Sequence, residues 1–233
     1  RIYDCANENR PGVTAKVQTP DESVKFLEKL FKFRQDISVI GIAGPGDPMC
    51  DADKTLATFE KCKSHFPNAL LCLSTNGLAL PEHVDEIVRL GVSHVTVTVN
   101  AVTPDVGSKV YSWVRYEGKN YYGEEAARIL LARQDEGIRK LKEAGMLVKI
   151  NTVVIPGVNI NHVPSISAKA KQWGADIMNC MAMIPVHDTP FENLKSPSTE
   201  EIHRIRRSIA SDIDQMTHCS RCRADACGKL SER

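Results

Sequence analysis

Apolar positions along this chain follow two alternating rhythms. Over residues 21–35, Val24, Leu27, Leu30 and Phe31 recur at helical spacing behind a Thr19-Pro20 start signal, which predicts an amphipathic helix. The segment ISVIGIAGPGDP follows, a short β-branched run closed by glycine and proline, as in a strand buried on both faces. The unit then repeats. Helices are predicted over 54–64, 81–90, 124–144, 162–173 and 199–213, and strands over ALLCLSTNG, HVTVTVNA, LVKINTVVIPG and DIMNCMAMIP. A polar loop separates HVTVTVNA from the long fourth helix.

Strands alternating with helices predict βαβ units and a parallel sheet. An open Rossmann-like sheet and a closed or partial barrel both satisfy that pattern. The strand ends favour the barrel: GPGD, STNG, TVNA, IPGVN and MIPVH are all polar or glycine-bearing, and in a (β/α) barrel such ends converge on one face. In an open sheet they would spread along an edge, with ligand contacts gathered at one switch point. No linker or low-complexity tract divides the chain, so residues 1–233 read as one domain with 214–233 as a C-terminal tail.

Composition narrows the classes. The 233 residues are 42% hydrophobic, enough for a buried core. Thirty basic and 29 acidic residues, with no Lys/Arg run longer than two, point to no nucleic acid or anionic membrane surface. No apolar run reaches the roughly 20 residues of a membrane span and no signal peptide leads the chain, so the expected setting is cytoplasmic, with a small-molecule partner. Eight cysteines in a long, regularly patterned chain suggest reduced thiols or metal ligands rather than a disulfide scaffold. Residue 1 is Arg, and RIYDCANENRPGV opens without a cap or turn signal, which predicts further sequence upstream.

Several segments carry candidate chemistry, each beside a plainer explanation. GPGDP, 44–48, brings two glycines to a strand end where backbone groups can approach a ligand, and a tight βα turn explains it about as well. It is not the G-x-G-x-x-G dinucleotide fingerprint. STNG and TVNA offer hydroxyl and amide groups for ribose or carboxylate, or caps for the helices that follow. His65, His83, His94, His162 and His203 have no partner at ligand spacing and read as surface or capping residues; His187 and His218 remain of interest. Cys62 and Cys180 read as buried structural thiols. Cys72 lies in a strand just before STNG and could face a barrel interior, while Cys50 sits in a loop without supporting spacing. Cys5 and Glu8 form a C-x-x-E pair in an irregular segment that reads, by itself, as an exposed loop.

The C-terminal HCSRCRADACGKL is the strongest signal. Cys219 and Cys222 at C-x-x-C spacing can grip a metal atom or adjacent irons, with Arg221 and Arg223 favouring the thiolates. A zinc site would need Cys227 and His218 as well, all within ten residues, which is cramped. A thioredoxin-type motif would follow an early strand rather than the last helix. An iron-sulfur cluster is the leading reading.

A βα array with GPGD after one strand, STNG after the next and thiols at the C-terminus resembles the radical S-adenosylmethionine enzymes, whose fold is a partial (β/α)6 TIM-type barrel. YDCANENRPGV, GIAGPGDP, LCLSTNGLALPEHVD, HVTVTVNAV, ILLARQDEGIRKL, KINTVVIPGVN and HCSRCRADACG together resemble the NifB family of nitrogenase-cofactor biosynthesis proteins, over residues 3–228. One departure is clear: the C-x-x-x-C-x-x-C motif of the cluster that cleaves S-adenosylmethionine is absent from these 233 residues. The resemblance implies that it precedes Arg1, along with a further upstream histidine.

What the resemblance implies for function is specific. Two substrate 4Fe-4S clusters are joined into an eight-iron precursor of the nitrogenase cofactor. One S-adenosylmethionine donates a methyl group, a second yields a 5'-deoxyadenosyl radical that abstracts hydrogen from it, and the carbon remains as a central carbide beside an added sulfur. By the same resemblance Cys5 and Glu8, together with the upstream histidine, hold one substrate cluster, and Cys219 and Cys222 in the 214–233 tail hold the other, with Cys72 nearby. Cys227 is expected to be a bystander. Gly44, Gly46 and Asp47 meet the methionine moiety, Thr98 and Asn100 the ribose, and Ile155 the adenine. The expected partners are an iron-sulfur cluster donor and a cofactor carrier or scaffold protein acting on a monomer. Rival readings are a non-catalytic iron-sulfur scaffold and a zinc-stabilised barrel enzyme.

Overall fold

The computed structural model describes residues 17–34, 36–44, 46–185, 187 and 189–216. In chain order the elements are α1 (Pro20–Phe33), β1 (Val39–Ile42), α2 (Ala52–His65), β2 (Leu70–Thr75), α3 (Val84–Arg89), β3 (Val92–Thr98), α4 (Pro104–Val110), β4 (Trp113–Tyr116), β5 (Lys119–Tyr122), α5 (Gly123–Glu143), β6 (Leu147–Val154), α6 (Val163–Gln172), β7 (Ile177–Ala182) and α7 (Thr199–Ser208). Helix starts follow local chemistry. Thr19 and Glu22 form a capping box on α1, and Ser198 and Glu201 form another on α7, each satisfying two N–H groups that the first turn leaves unpaired.

Five strands form one all-parallel sheet in the order β1-β2-β3-β6-β7. Neighbours in space follow chain order without reversal, so the sheet has no switch point of the doubly wound kind. Right-handed crossovers are the rule for such units and put the helices that link successive strands on one side of the sheet. Packing agrees: Ile40, Leu71, Leu73, Val95, Val97, Val148, Ile150 and Met178 join Phe59, Ile138 and Ile166 of the helices in one apolar cluster. This is the single winding of a partial (β/α) barrel, as the converging strand ends predicted. Where a sixth strand would stand, residues 214–216 lie against β7 as an isolated parallel bridge, with Met178 N–H donating to Asp214 O and Met216 N–H to Met178 O, both at 2.8 Å.

Three expectations need correction. β1 is buried on one face only: Ile40 is in the core while Val39 and Gly41 are exposed, because its other face looks into the barrel interior. The stretch expected to be a polar loop holds α4 and the antiparallel hairpin β4–β5. Glu117 and Gly118 turn that hairpin with φ of 48° and 77°, the left-handed pair of a two-residue type I′ loop. Tyr111 and Val114 from this excursion pack with Leu130 of α5 and Ile155 in a second apolar cluster. Gly107 is required there, since a Cβ would meet that of Ala127 at 2.8 Å. Finally, α7 stops at Ser208 rather than running to 213, and buried Arg206 reaches across to Cys180 O at 2.7 Å, satisfying a carbonyl on the edge of the sheet. Among the described residues no helix is long and apolar enough to cross a membrane.

A candidate cluster and cofactor site inside the barrel

Register decides which side chains share the inner face. Gly41, Cys72, His94 and Leu147 form one row across β1, β2, β3 and β6. Two residues onward, Ser74, Thr96, Lys149 and Ile177 form the next, and Thr98, Asn151 and Asn179 a third. Neighbours in a row stand about 4.8 Å apart, the spacing of paired strands. The outer face of these strands is aliphatic, whereas the inner face carries a thiol, an imidazole, an ammonium, amides and hydroxyls. A sheet whose concave side is polar is built to hold something other than its own core.

Cys72 is half-buried, and its thiol is pushed up by burial, with Lys149 and the Thr96 hydroxyl pulling the other way. Burial and the Lys149 charge together hold His94 below the usual histidine range. The Lys149 ammonium has no ion-pair partner among the described residues, so it faces this row as an uncompensated cation. Gly41 leaves open the place beside Cys72 that a side chain would take; a Cβ there would sit 3.8 Å from Cys72 Cβ. A thiol beside a glycine, with an unpaired cation in the next row, suits an anionic, thiolate-bound group such as an iron-sulfur cluster.

The C-terminal ends of the strands are joined by buried polar side chains. Asp47 ties GPGD to STNG: its carboxylate accepts from Met49 N–H at 2.9 Å, from the Thr75 hydroxyl at 2.9 and 3.1 Å, and from Asn76 N–H. Burial raises its pKa, and these three donors oppose that shift. Gly44 and Gly46 are exposed in left-handed conformations, φ 143° and 73°, and present backbone rather than side chain at the barrel mouth. Those two peptides fit a role in meeting the methionine end of a cofactor; the Asp47 side chain is taken up in holding the loops together.

A second knot sits at the ends of β3 and β6. Gln134 Nε2 donates to Asn76 O at 2.7 Å and Thr98 O at 3.0 Å. Asn100 Oδ1 accepts from Val153 N–H at 2.9 Å, and Asn159 donates from Nδ2 to Asn100 O at 2.9 Å and Val153 O at 2.8 Å while accepting from Ile155 N–H at 2.7 Å. Asn100 is 1% exposed and Ile155 fully buried, so both lie behind the mouth surface and Thr98 stands nearer to it. Asn100 Nδ2 and Gln134 Oε1 flank the Tyr111 hydroxyl and make no regular hydrogen bond.

The structure thus brings Gly44, Gly46 and Asp47 to STNG, and Thr98 and Asn100 to Ile155, with Cys72 deeper in the barrel. Cys5, Glu8, His218, Cys219, Cys222 and Cys227 lie outside the described residues. Cys62 and Cys180 are buried thiols raised to about 11 and about 12, as expected of structural cysteines. Sequence reasoning missed Gln134 and Asn159. Gln134 had a signal: it stands with Leu130, Ile138 and Leu141 on the buried side of α5.

His162, read as a surface or capping residue, is an acceptor: its Nε2 takes Val102 N–H at 3.1 Å, which only the neutral ring can do. Burial lowers its pKa below 6.5, with Asp105 opposing. A lowered histidine pKa means that the unfolded chain takes up the proton first, so stability is full above 6.5 and is lost as pH falls from there through the folded value. His94 acts with the same sign, so the test is a difference. Melting temperature should fall more between about pH 7 and about pH 5 in the parent than in His162→Gln, whose amide accepts without titrating.

The fold and its strand-end loops define a class, and sequence comparison agrees: the chain belongs to the radical SAM superfamily, whose family model matches residues 5–169. Within that class it is similar along its whole length to the FeMo cofactor biosynthesis protein NifB. Identity is 41% over 232 residues with the protein of Chlorobaculum tepidum, covering 100% of this chain and 55% of that one. It is 42% over 236 residues with that of Klebsiella pneumoniae, covering 100% and 50%, and 44% over 234 residues with that of Sinorhizobium fredii, covering 99% and 48%. The chain spans about half the length of the curated relatives it matches.

Proposed function

We propose that this chain is the barrel of a radical SAM enzyme of nitrogenase-cofactor biosynthesis, which joins two 4Fe-4S clusters and inserts a carbide and a sulfur to make an eight-iron precursor. The observation that carries this reading is Cys72: a thiol on the inner face of a radical SAM barrel, beside Gly41 and facing the unpaired Lys149. Cys219 and Cys222 hold the substrate cluster near Cys72, and Cys5 and Glu8, together with a histidine upstream of Arg1, hold the other. When bound with its reducing 4Fe-4S cluster, S-adenosylmethionine supplies the methyl group and the hydrogen-abstracting radical. The backbone at Gly44 and Gly46 receives its methionine end, Thr98 and Asn100 position the ribose, and Ile155 forms the wall behind the adenine.

An iron-sulfur donor supplies the clusters, and a carrier or scaffold protein takes the product from a cytoplasmic monomer that needs neither nucleic acid nor membrane. The test uses the protein at the full length of its gene, purified anaerobically and given S-adenosylmethionine and reductant. The expected products are 5'-deoxyadenosine and S-adenosylhomocysteine, one from hydrogen abstraction and one from methyl transfer. Iron and sulfide bound without either product would make the protein a scaffold; one zinc and no iron would make it a zinc-stabilised barrel.

A further inference from the structure

We propose that Lys149 is the counter-charge of the barrel interior: its ammonium balances the negative charge of the cluster held at Cys72 and so favours that cluster's one-electron-reduced form. The inference rests on the cluster reading above. Register places the lysine. Lys149 pairs with Thr96 and Thr96 with Ser74, so it stands on β6 in the row next to that of Cys72 and His94, two strands from the thiol. Two strand spacings are roughly 10 Å, and the charge is felt across them. Burial raises the Cys72 thiol and Lys149 opposes that shift; burial lowers His94 and Lys149 adds to it.

The sheet offers that charge no opposite. Across β1, β2, β3, β6 and β7, Lys149 is the only Asp, Glu, Lys or Arg. It is half-buried, and among the described residues its ammonium makes no ion pair or hydrogen bond. In the next row Arg206 donates to Asn179 Oδ1 at 3.2 Å and Asn179 Nδ2 to Asn151 Oδ1 at 3.4 Å, so the amide oxygens there are already engaged. Asp47, at the mouth, is committed to Met49, Thr75 and Asn76. A half-buried ammonium without a counter-charge is costly, and an anion bound in the interior removes the cost. A thiolate-bound iron-sulfur cluster gains one negative charge when it takes up an electron, so a fixed cation beside it stabilises the reduced form and raises the reduction potential.

The experiment uses the full-length protein as parent, Lys149→Arg, Lys149→Gln and Lys149→Met, loaded anaerobically with iron and sulfide. Each is measured beside its own Cys72→Ala variant, so that the Cys72-dependent signal is taken by difference. Iron is counted, folding is checked by circular dichroism, and the reduced fraction is read by electron paramagnetic resonance in samples poised with dithionite and mediators. The expected result is that Lys149→Gln and Lys149→Met keep the fold and the Cys72-dependent iron. At the parent's midpoint potential their ratio of reduced to oxidised cluster should fall roughly 3- to 10-fold, while Lys149→Arg, which keeps the charge, stays close to the parent. Loss of the Cys72-dependent iron in both neutral variants but not in Lys149→Arg also supports the inference, since the charge is then needed for loading. A ratio unchanged in the neutral variants, or iron or ratio lost equally in Lys149→Arg, overturns it and leaves the cluster reading standing. Iron loading of the parent that ignores Cys72 overturns both.

Discussion

Asn159→Ala is expected to lower the unfolding free energy by about 3–5 kcal/mol, among the largest effects available from a single side chain in this chain. One fully buried amide satisfies three backbone groups: Asn100 O, Val153 O and Ile155 N–H. Alanine leaves all three buried and unpaired, and each costs about 1–3 kcal/mol. For a chain of this size the melting temperature should fall by about 2–4 °C per kcal/mol, and by the larger total if the three losses add. Asn159→Asp should be no rescue, since a carboxylate would face two carbonyls without the proton they need. Exposed Asn161→Ala, two positions on, should stay within about 0.5 kcal/mol of the parent. A loss below about 1 kcal/mol for Asn159→Ala, measured by denaturant unfolding, would mean that the β3 and β6 ends are held together in some other way.

The second large effect concerns iron rather than stability. Cys72→Ala should remove the iron of one whole 4Fe-4S cluster from the anaerobically loaded protein and leave the fold intact. The thiol is half-buried, and its contacts are a weak one of 3.9 Å to Leu73 O and one with the Thr96 hydroxyl, so little native structure depends on it. Cys180→Ala and Cys62→Ala should behave in the opposite way. Both thiols are fully buried in the aliphatic cluster, so truncation costs packing energy and no iron. Equal iron in the Cys72→Ala and parent proteins would remove the central support for an inner-face cluster.

These contrasts also explain what the sequence alone could yield. The strand-helix alternation and the polar strand ends are local features, and each parallel strand was legible in its own hydrophobic run. The hairpin was hidden because its signal is the Glu117-Gly118 pair, a weaker mark than Asn-Gly, between strands of only four residues each. GPGD, STNG and TVNA were visible as unusual strand ends, but their division of labour was not. Whether Asp47 faces a ligand or its own neighbours depends on Thr75 and Asn76, 28 and 29 residues away in sequence. His94 looked isolated for the same reason. Its partner Cys72 is 22 positions upstream, and only the register of two parallel strands brings them side by side.

The most direct test of the account follows the carbon. The full-length protein, loaded anaerobically with iron and sulfide, is given S-adenosylmethionine labelled in the methyl group, and the iron-sulfur product is isolated and counted for label. The account predicts label retained in the protein-bound cluster of the parent, with 5'-deoxyadenosine released alongside, and neither in Cys72→Ala. A parent protein that binds its clusters, turns over no S-adenosylmethionine and leaves the product unlabelled would contradict it.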